Sequence, residues 1–381
     1  MKINVIGIAT TQFGELWKIS PKSLAREAMT QALEDGGKSA KQIDALFVGN
    51  MLADVLGNQA NLGSFFGEVL GASIPSFHIE GACASGGLAL HTAVNSILAG
   101  QYKTVMVLGV EKMTDCQPDD IVSGLMAAGS DEERLSGATF PGIYALMARA
   151  YMDEYAVSEE LLASVSVKNH FHGSLNPKAQ FQKVLTIENV MKSTKIADPL
   201  KLLECSPISD GASAVIITSE PVKIKKKAIS LVASEVGTDT LALHNRDTFT
   251  SLSAVVTASK KAYKKAGITP EDVNVAEIHD CFSIAEVIAT EDLGFAKRGK
   301  GARAISEGKM TLGSGNIVTN PSGGLKACGH PVGATGIKQI VEIVEQLRGT
   351  AGKRQVKNAR IGLTHNVGGS GAVAVIHILK K

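Results

Sequence analysis

Short apolar, β-branched runs alternate along this chain with longer stretches in which apolar residues recur every three or four positions. The runs at 3–8, 45–48, 105–109, 214–218, 229–235, 275–279, 360–364 and 373–379 predict strands. The periodic stretches at 21–35, 86–98, 141–155, 251–266 and 336–347 predict helices. Strands that alternate with helices argue for an α/β architecture.

The pattern repeats itself once. Leu24-Ala25-Arg26-Glu27-Ala28 opens a helix that runs into the strand at 43–48. Ala258-Ser259-Lys260-Lys261-Ala262 opens one that runs into 273–278. Each half then carries a Gly-rich loop leading into a helix, at 81–87 and at 329–336. Each half also ends alike: Ser209-Asp210-Gly211-Ala212-Ser213-Ala214-Val215 resembles Gly369-Ser370-Gly371-Ala372-Val373-Ala374-Val375. The shared order predicts a duplicated α/β unit, with halves at 1–222 and 223–381. They join near 221–227, where Lys225-Lys226-Lys227 reads as a solvated linker. The stretch of about 112–204 has no counterpart in the second half and reads as an insertion, of a kind that often covers functional sites.

Composition narrows the function classes. At 381 residues the chain is long enough for two or more packed units, and 39 Gly against 11 Pro with 44% hydrophobic residues fits an ordinary folded protein. Lys plus Arg number 39 and Asp plus Glu 37, so no broad basic field is available for nucleic acid. Five cysteines at irregular spacing do not make a disulfide framework, and without a C-x-x-C pair a structural zinc site is not expected. The first apolar run is too short for a signal peptide. The longest stretch free of charged residues, 81–102, is full of Gly, Ser, His, Thr and Asn and cannot span a membrane. These features read as a soluble cytoplasmic protein.

The candidate chemistry lies at breaks in the pattern. Cys83, in Gly81-Ala82-Cys83-Ala84-Ser85-Gly86-Gly87, precedes a helix. Unpaired N–H groups and the helix dipole there would favour a thiolate with a lowered pKa. The alternative is a buried inert cysteine. His330, between Gly329 and Pro331, also precedes a helix and suits a general base; the alternative is a surface loop histidine. His279-Asp280-Cys281-Phe282 follows a strand, and two residues spaced by two on an extended segment would point the same way. That pair alone is too few ligands for a metal. His365-Asn366-Val367-Gly368-Gly369-Ser370-Gly371 could present backbone N–H donors to an oxyanion. Neither a complete phosphate-binding loop nor a dinucleotide fingerprint is present. His170 and His172, in the insertion, are expected at the surface, and Met147 and Met152 on an apolar helix face. Spacing assigns no role to Cys116, Cys205 or Cys328.

Taken together, and in this order, the blocks 81–87, Cys205-Ser206-Pro207-Ile208-Ser209-Asp210-Gly211-Ala212, His279–Phe282, 329–336 and 365–371 resemble the thiolase family. Many thiolases carry Asn-Glu-Ala-Phe where this chain has His279-Asp280-Cys281-Phe282, and Cys-x-Gly where it has Asn366-Val367-Gly368. The departure is similar to the sterol-carrier-protein-2 type, which includes archaeal acetoacetyl-CoA thiolases. The resemblance implies two halves related by a pseudo-twofold in an αβαβα five-layer sandwich with an inserted loop domain. It implies acetyl-CoA C-acetyltransferase activity, with Cys83 as nucleophile, His330 as its base and Cys281 as the acid/base at the α-carbon. His279 would bind the thioester oxygen, the N–H groups of Cys83 and Gly368 would form an oxyanion hole, and Ser206 would contact the pantetheine arm. Acetyl-CoA, acetoacetyl-CoA and CoA would be substrates and products, with no metal and no separate cofactor. The resemblance further implies a homodimer or homotetramer. It also implies assembly with hydroxymethylglutaryl-CoA synthase and a small zinc-ribbon/OB-fold protein on the route to mevalonate and isoprenoids.

Three alternatives remain at this level. A degradative 3-ketoacyl-CoA thiolase would use the same residues on longer chains; the end at Lys381, without a fused lipid-transfer domain, favours the short-chain expectation. A decarboxylating ketoacyl synthase would not need Cys281. A non-catalytic acyl-CoA-binding or scaffold protein would not need to keep all these residues.

Overall fold

The structure is a computed structural model that describes residues 2–222, 228–315 and 317–381. The lysines read as a linker, Lys225-Lys226-Lys227, lie outside the described residues. Ten strands form one sheet: β1 (Ile3–Thr10), β2 (Ala45–Gly49), β3 (Ser76–Ile79), β4 (Thr104–Glu111) and β5 (Gly211–Thr218), then β6 (Ile229–Thr238), β7 (Val275–Ile278), β8 (Val318–Thr319), β9 (Ile361–Gly368) and β10 (Val373–Lys380). The first half is ordered β3-β2-β4-β5-β1 and the second β8-β7-β9-β10-β6. Adding five to each label of the first half yields the second. The pairing senses also match: β2 is parallel to β3 and β4, as β7 is to β8 and β9, while the remaining pairs in each half are antiparallel. The halves join where β1 runs antiparallel to β6, with Asn4 opposite Ser230. The repeat read in the sequence is thus a repeat of topology.

Side-chain alternation along each strand sorts the layers. In β4 and β5, Val105, Val107, Val215 and Ile217 face a core shared with Ala89, Leu90, Ala93, Ile337, Ile340 and Val344. Those last residues belong to two helices, Ser85–Leu98 and Val332–Arg348, which pack against each other between the two halves of the sheet. The opposite faces, with Met106, Leu108 and Ile216, are covered by the helix Pro21–Gly36. Ala233, Ile376 and Ile378 of the second half are covered by Ser253–Ala266. Helix, sheet, helix, sheet, helix is the five-layer arrangement expected.

The two central helices touch through glycine. A Cβ on Gly86 would stand 2.6 Å from the Gly333 carbonyl oxygen, and one on Gly336 would stand 2.4 Å from the Gly87 nitrogen. Only hydrogen fits at this crossing, so the two helix N-termini meet. Cys83 and His330 each stand two residues before the first residue of their helix.

The insertion folds mainly as helices, among them Phe140–Tyr155 and Glu159–Gly173, which pack on the second half rather than the first. Met147 is buried there and Met152 packs against the same core, as expected of an apolar face. His170 and His172 are not at the surface; both are buried. The Glu159–Gly173 helix has no polar face to offer solvent, because Lys168 pairs with Glu286 at 2.9 Å and the His172 ring bonds the Asn320 carbonyl at 3.0 Å. Among the described residues no helix is long and apolar enough to cross a membrane.

Candidate active site

Cys83 lies in a single tight turn, Ala82–Ala84, ahead of the first central helix. Ser85 ties this turn down: its hydroxyl accepts the Gly81 N–H at 3.0 Å and donates to the Ala82 carbonyl at 2.6 Å. The Cys83 thiol is pushed above its ordinary range by burial, and further by Cys281 nearby. The N–H groups of Gly369 and of Cys83 itself reach the sulfur but offset this only in part. Desolvation thus opposes the lowered pKa expected from the helix N-terminus and favours a neutral thiol. Gly368 lies one residue before the N–H that reaches the sulfur. It packs against the loop itself, where a Cβ would come within 2.4 Å of the Gly81 carbonyl oxygen.

The tautomers of the two facing histidines follow from their partners. His330 Nδ1 lies 2.7 Å from the Thr335 hydroxyl, which itself donates to the Pro331 carbonyl at 3.0 Å. One hydroxyl proton cannot serve both contacts, so His330 Nδ1 donates and Nε2 carries a lone pair. Burial pushes His330 down to about 3, so this lone pair is free at neutral pH. Asn366 fixes the other ring. Its amide oxygen accepts the Gly87 N–H at 3.1 Å, which orients the NH₂ toward the Cys83 carbonyl at 2.9 Å and His279 Nδ1 at 3.3 Å. An N–H donor needs a lone pair, so His279 Nδ1 accepts and Nε2 bears the proton. Among the described residues that buried Nε2 has no hydrogen-bond partner. Burial, with His330 and His365 nearby, holds His279 well below its ordinary value. The two rings meet edge to face at 5.1 Å.

Among the described residues, one ligand atom each from Cys83, His279 and His330 lie within 4.8 Å of one another, close enough for a metal ion. The Asn366 contact opposes such a site, because it leaves a proton rather than a lone pair on the free nitrogen of His279.

Two buried carboxylates hold the frame. Glu111, raised to about 7 by burial, accepts the backbone N–H groups of Met51 (3.0 Å), Leu52 (3.2 Å) and Gly333 (3.1 Å), and the Asn50 side chain (2.7 Å). It thereby caps the helix that follows His330. Asp280 accepts the Leu325 N–H at 2.6 Å and the Asn169 side chain at 2.6 Å. This pins the segment carrying Cys281.

Cys281 and Cys83 line one largely apolar cavity of about 150 Å³, with Tyr144, Ser206, Phe282 and His330 also on its walls. Burial pushes the Cys281 thiol up to about 12. Its carbonyl accepts the Ser206 N–H at 2.8 Å, which places Ser206 beside it. Cys205 lines the same cavity and is raised to about 11, chiefly by burial. Cys328 is buried behind the His330 loop, while Cys116 lines a different cavity. Cys83, His330, Cys281 and His279 are thus brought together, and Ser206 with them. Tyr144, Thr335 and Glu111 carry no signal in a single sequence. Asn366 does: a polar side chain in an apolar strand run just before glycines.

This pairing of two neutral thiols with one imidazole lone pair and one imidazole N–H can form and break a thioester and move a proton at its α-carbon. Comparison with known proteins agrees. Residues 3–221 match the thiolase N-terminal domain and residues 236–381 the thiolase C-terminal domain-like family. The chain is 47% identical to the acetyl-CoA acetyltransferase of Methanothermobacter thermautotrophicus, over 100% of this chain and 99% of that one. It is 45% identical to the acetyl-CoA acetyltransferase of Methanocaldococcus jannaschii, over 99% and 98%. Human sterol carrier protein 2 is 34% identical over 98% of this chain and 71% of its own length. Among solved structures, the Ltp2-ChsH2(DUF35) aldolase superposes with a TM-score of 0.83 at 22% identity, covering 99% of this chain and 97% of that one. Human mitochondrial 3-ketoacyl-CoA thiolase in complex with CoA superposes at 0.75 and 19% identity, covering 100% and 98%. At those identities the structural likeness is one of fold. With two family models spanning nearly its whole length and relatives alike from end to end, the chain belongs to the thiolase family and is an acyltransferase.

Proposed function

We propose that the chain is an acetyl-CoA C-acetyltransferase that condenses two acetyl-CoA molecules into acetoacetyl-CoA. The observation that carries this reading is the pair of thiols, Cys83 and Cys281, lining one small cavity with His330. Relatives named acetyl-CoA acetyltransferase at 45% and 47% identity support the substrate.

In this reading His330 Nε2 takes the Cys83 proton as the sulfur attacks the acetyl carbonyl. The carbonyl oxygen gathers charge against the Cys83 and Gly368 N–H groups. CoA leaves with the proton of Cys281, so the acetyl-enzyme holds an imidazolium at His330 and a thiolate at Cys281. The thiolate removes an α-proton from the second acetyl-CoA while the His279 Nε2–H meets its thioester oxygen. The carbanion attacks the acetyl group, Cys83 departs, and His330 returns its proton. Charge and protons balance over the cycle. Ser206 holds the pantetheine arm beside Cys281. No metal and no further cofactor take part.

In the cell the unfavourable condensation would be drawn forward by hydroxymethylglutaryl-CoA synthase, toward mevalonate, through a small zinc-ribbon/OB-fold partner and with this chain as a cytoplasmic homodimer or homotetramer. The test of the activity is thiolysis of acetoacetyl-CoA by CoA, beside Cys83→Ala and Cys281→Ala. Activity in the wild type and loss in both variants supports the reading. Preference for long 3-ketoacyl chains, or full condensing activity in Cys281→Ala, overturns it.

A further inference from the structure

We infer that Tyr144 is a positioning residue for Cys281, its single hydroxyl proton resting on the Gly369 carbonyl and turning to the Cys281 sulfur whenever that sulfur is charged. The inference rests on the two-thiol reading above.

Tyr144 comes from the insertion, on the Phe140–Tyr155 helix, and is 1% exposed. Its ring stacks on Phe282, the residue after Cys281, with centroids 4.7 Å apart. Its hydroxyl donates to the Gly369 carbonyl at 3.0 Å, and Tyr144 lines the same cavity as Cys281. Gly369 therefore has its N–H on Cys83 and its carbonyl on Tyr144, so one residue links the two thiols. The other groups facing Cys281 are Lys326, Asp280 and the Phe282 N–H; those facing Tyr144 besides Cys281 are Cys83 and Arg246.

A phenol has one proton to donate. While Cys281 is a neutral thiol, the carbonyl is the better acceptor. Once Cys281 has given its proton to the departing CoA sulfur, the thiolate becomes much the stronger acceptor, because hydrogen bonds to charged groups are roughly twice as strong. Burial holds the Tyr144 hydroxyl well above its ordinary range, so it donates without giving up its proton. Proton transfer stays with Cys281, and Tyr144 sets how readily its thiolate forms.

Tyr144→Phe keeps the ring and its stack and removes only the hydroxyl. The first arm is alkylation of Cys281 by iodoacetamide across pH, in a Cys83→Ala background, read by mass spectrometry. Tyr144→Phe is expected to move the rate curve to higher pH, so that alkylation at a given pH slows about tenfold. Replacement of Tyr144 by 3-fluorotyrosine keeps a more acidic hydroxyl and is expected to move it to lower pH. The second arm uses intact Cys83. Acetyl-enzyme formation from acetyl-CoA, the step in which Cys281 gives up its proton, is expected to slow about tenfold, and kcat to fall without a change in KM. An unchanged alkylation curve overturns the inference whatever the activity. Acetyl-enzyme formation at the wild-type rate in a folded Tyr144→Phe also overturns it. A wild type inactive on acetyl-CoA would sink the proposed function but leave the alkylation arm readable.

Discussion

Asn366→Ala removes the side chain that ties the two halves of the site together. Its amide meets the Gly87 N–H, the Cys83 carbonyl and His279 Nδ1 at 3.1, 2.9 and 3.3 Å. Alanine leaves two buried backbone groups, the Gly87 N–H and the Cys83 carbonyl, without these partners. Each such loss costs about 1–3 kcal/mol, giving about 2–6 kcal/mol, toward the low end if water fills the space. For a chain of this length that lowers Tm by about 3–7 °C. The catalytic effect has a separate cause. Without the NH₂ donor, the His279 proton is free to move to Nδ1, and the donor that the proposed mechanism aims at the substrate oxygen is lost. Removal of one such donor lowers kcat by about 100–1000-fold. Thermal melts and steady-state acetoacetyl-CoA thiolysis measure the two effects, and ¹⁵N NMR of histidine-labelled protein reads the tautomer directly. A wild type with the His279 proton on Nδ1 would refute the hydrogen-bond argument outright. So would a folded Asn366→Ala with kcat within threefold of wild type.

Three other outcomes follow from the same geometry. Glu111→Gln replaces an acceptor of four N–H donors by a group with one acceptor oxygen, and is expected to cost about 2–4 kcal/mol in chemical denaturation and to lower kcat through the cap on the His330 helix. A midpoint unchanged from wild type would contradict the buried cap. Gly336→Ala sets a methyl group 2.3 Å from the Asn366 amide oxygen and 2.4 Å from the Gly87 nitrogen, so a loss of about 3 kcal/mol or more is expected in the same measurement. Iodoacetamide alkylation of Cys83 in the free enzyme should keep rising about tenfold per pH unit past pH 9, because a thiol held above its ordinary value gains thiolate only at higher pH. A plateau below pH 8 would show a resting thiolate or ion pair instead.

The strands most legible in the sequence are those buried on both faces, such as β4 and β5, whose unbroken apolar runs need no partner to be recognised. Ser76–Ile79 gives no such run, since Ser76-Phe77-His78-Ile79 is half exposed and becomes a strand only by lying beside β2. The Glu159–Gly173 helix was hidden for the opposite reason. Its Lys168, Asn169 and His172 are buried against Glu286, Asp280 and Asn320, partners more than 100 positions away, so no amphipathic stripe shows. In the site, Cys83 and His330 stand out because reactive side chains interrupt glycine-rich breaks, and His279 and Cys281 because they end an apolar strand run. Their protonation does not, because local position suggests a dipole-activated thiolate while burial, set by distant chain, decides the charge. Tyr144 is invisible for a similar reason: within a helix of apolar residues nothing marks the one whose hydroxyl reaches Gly369.

The pseudo-twofold gives Cys83 and His330, the proposed nucleophile and base, equivalent places. Cys83 and His330 each lie two residues before a central helix, and those helices cross at glycines from both halves. In an ancestor made of two identical half-chains, these would have been a single position facing its own copy across the axis. Whatever residue stood there would have met itself, cysteine against cysteine or histidine against histidine, and neither pair divides the labour of attack and proton removal. Fusion into one chain freed the two copies to differ. The asymmetry that catalysis requires is therefore a property of covalent linkage between the halves, and a split enzyme would need to pair unlike halves to recover it.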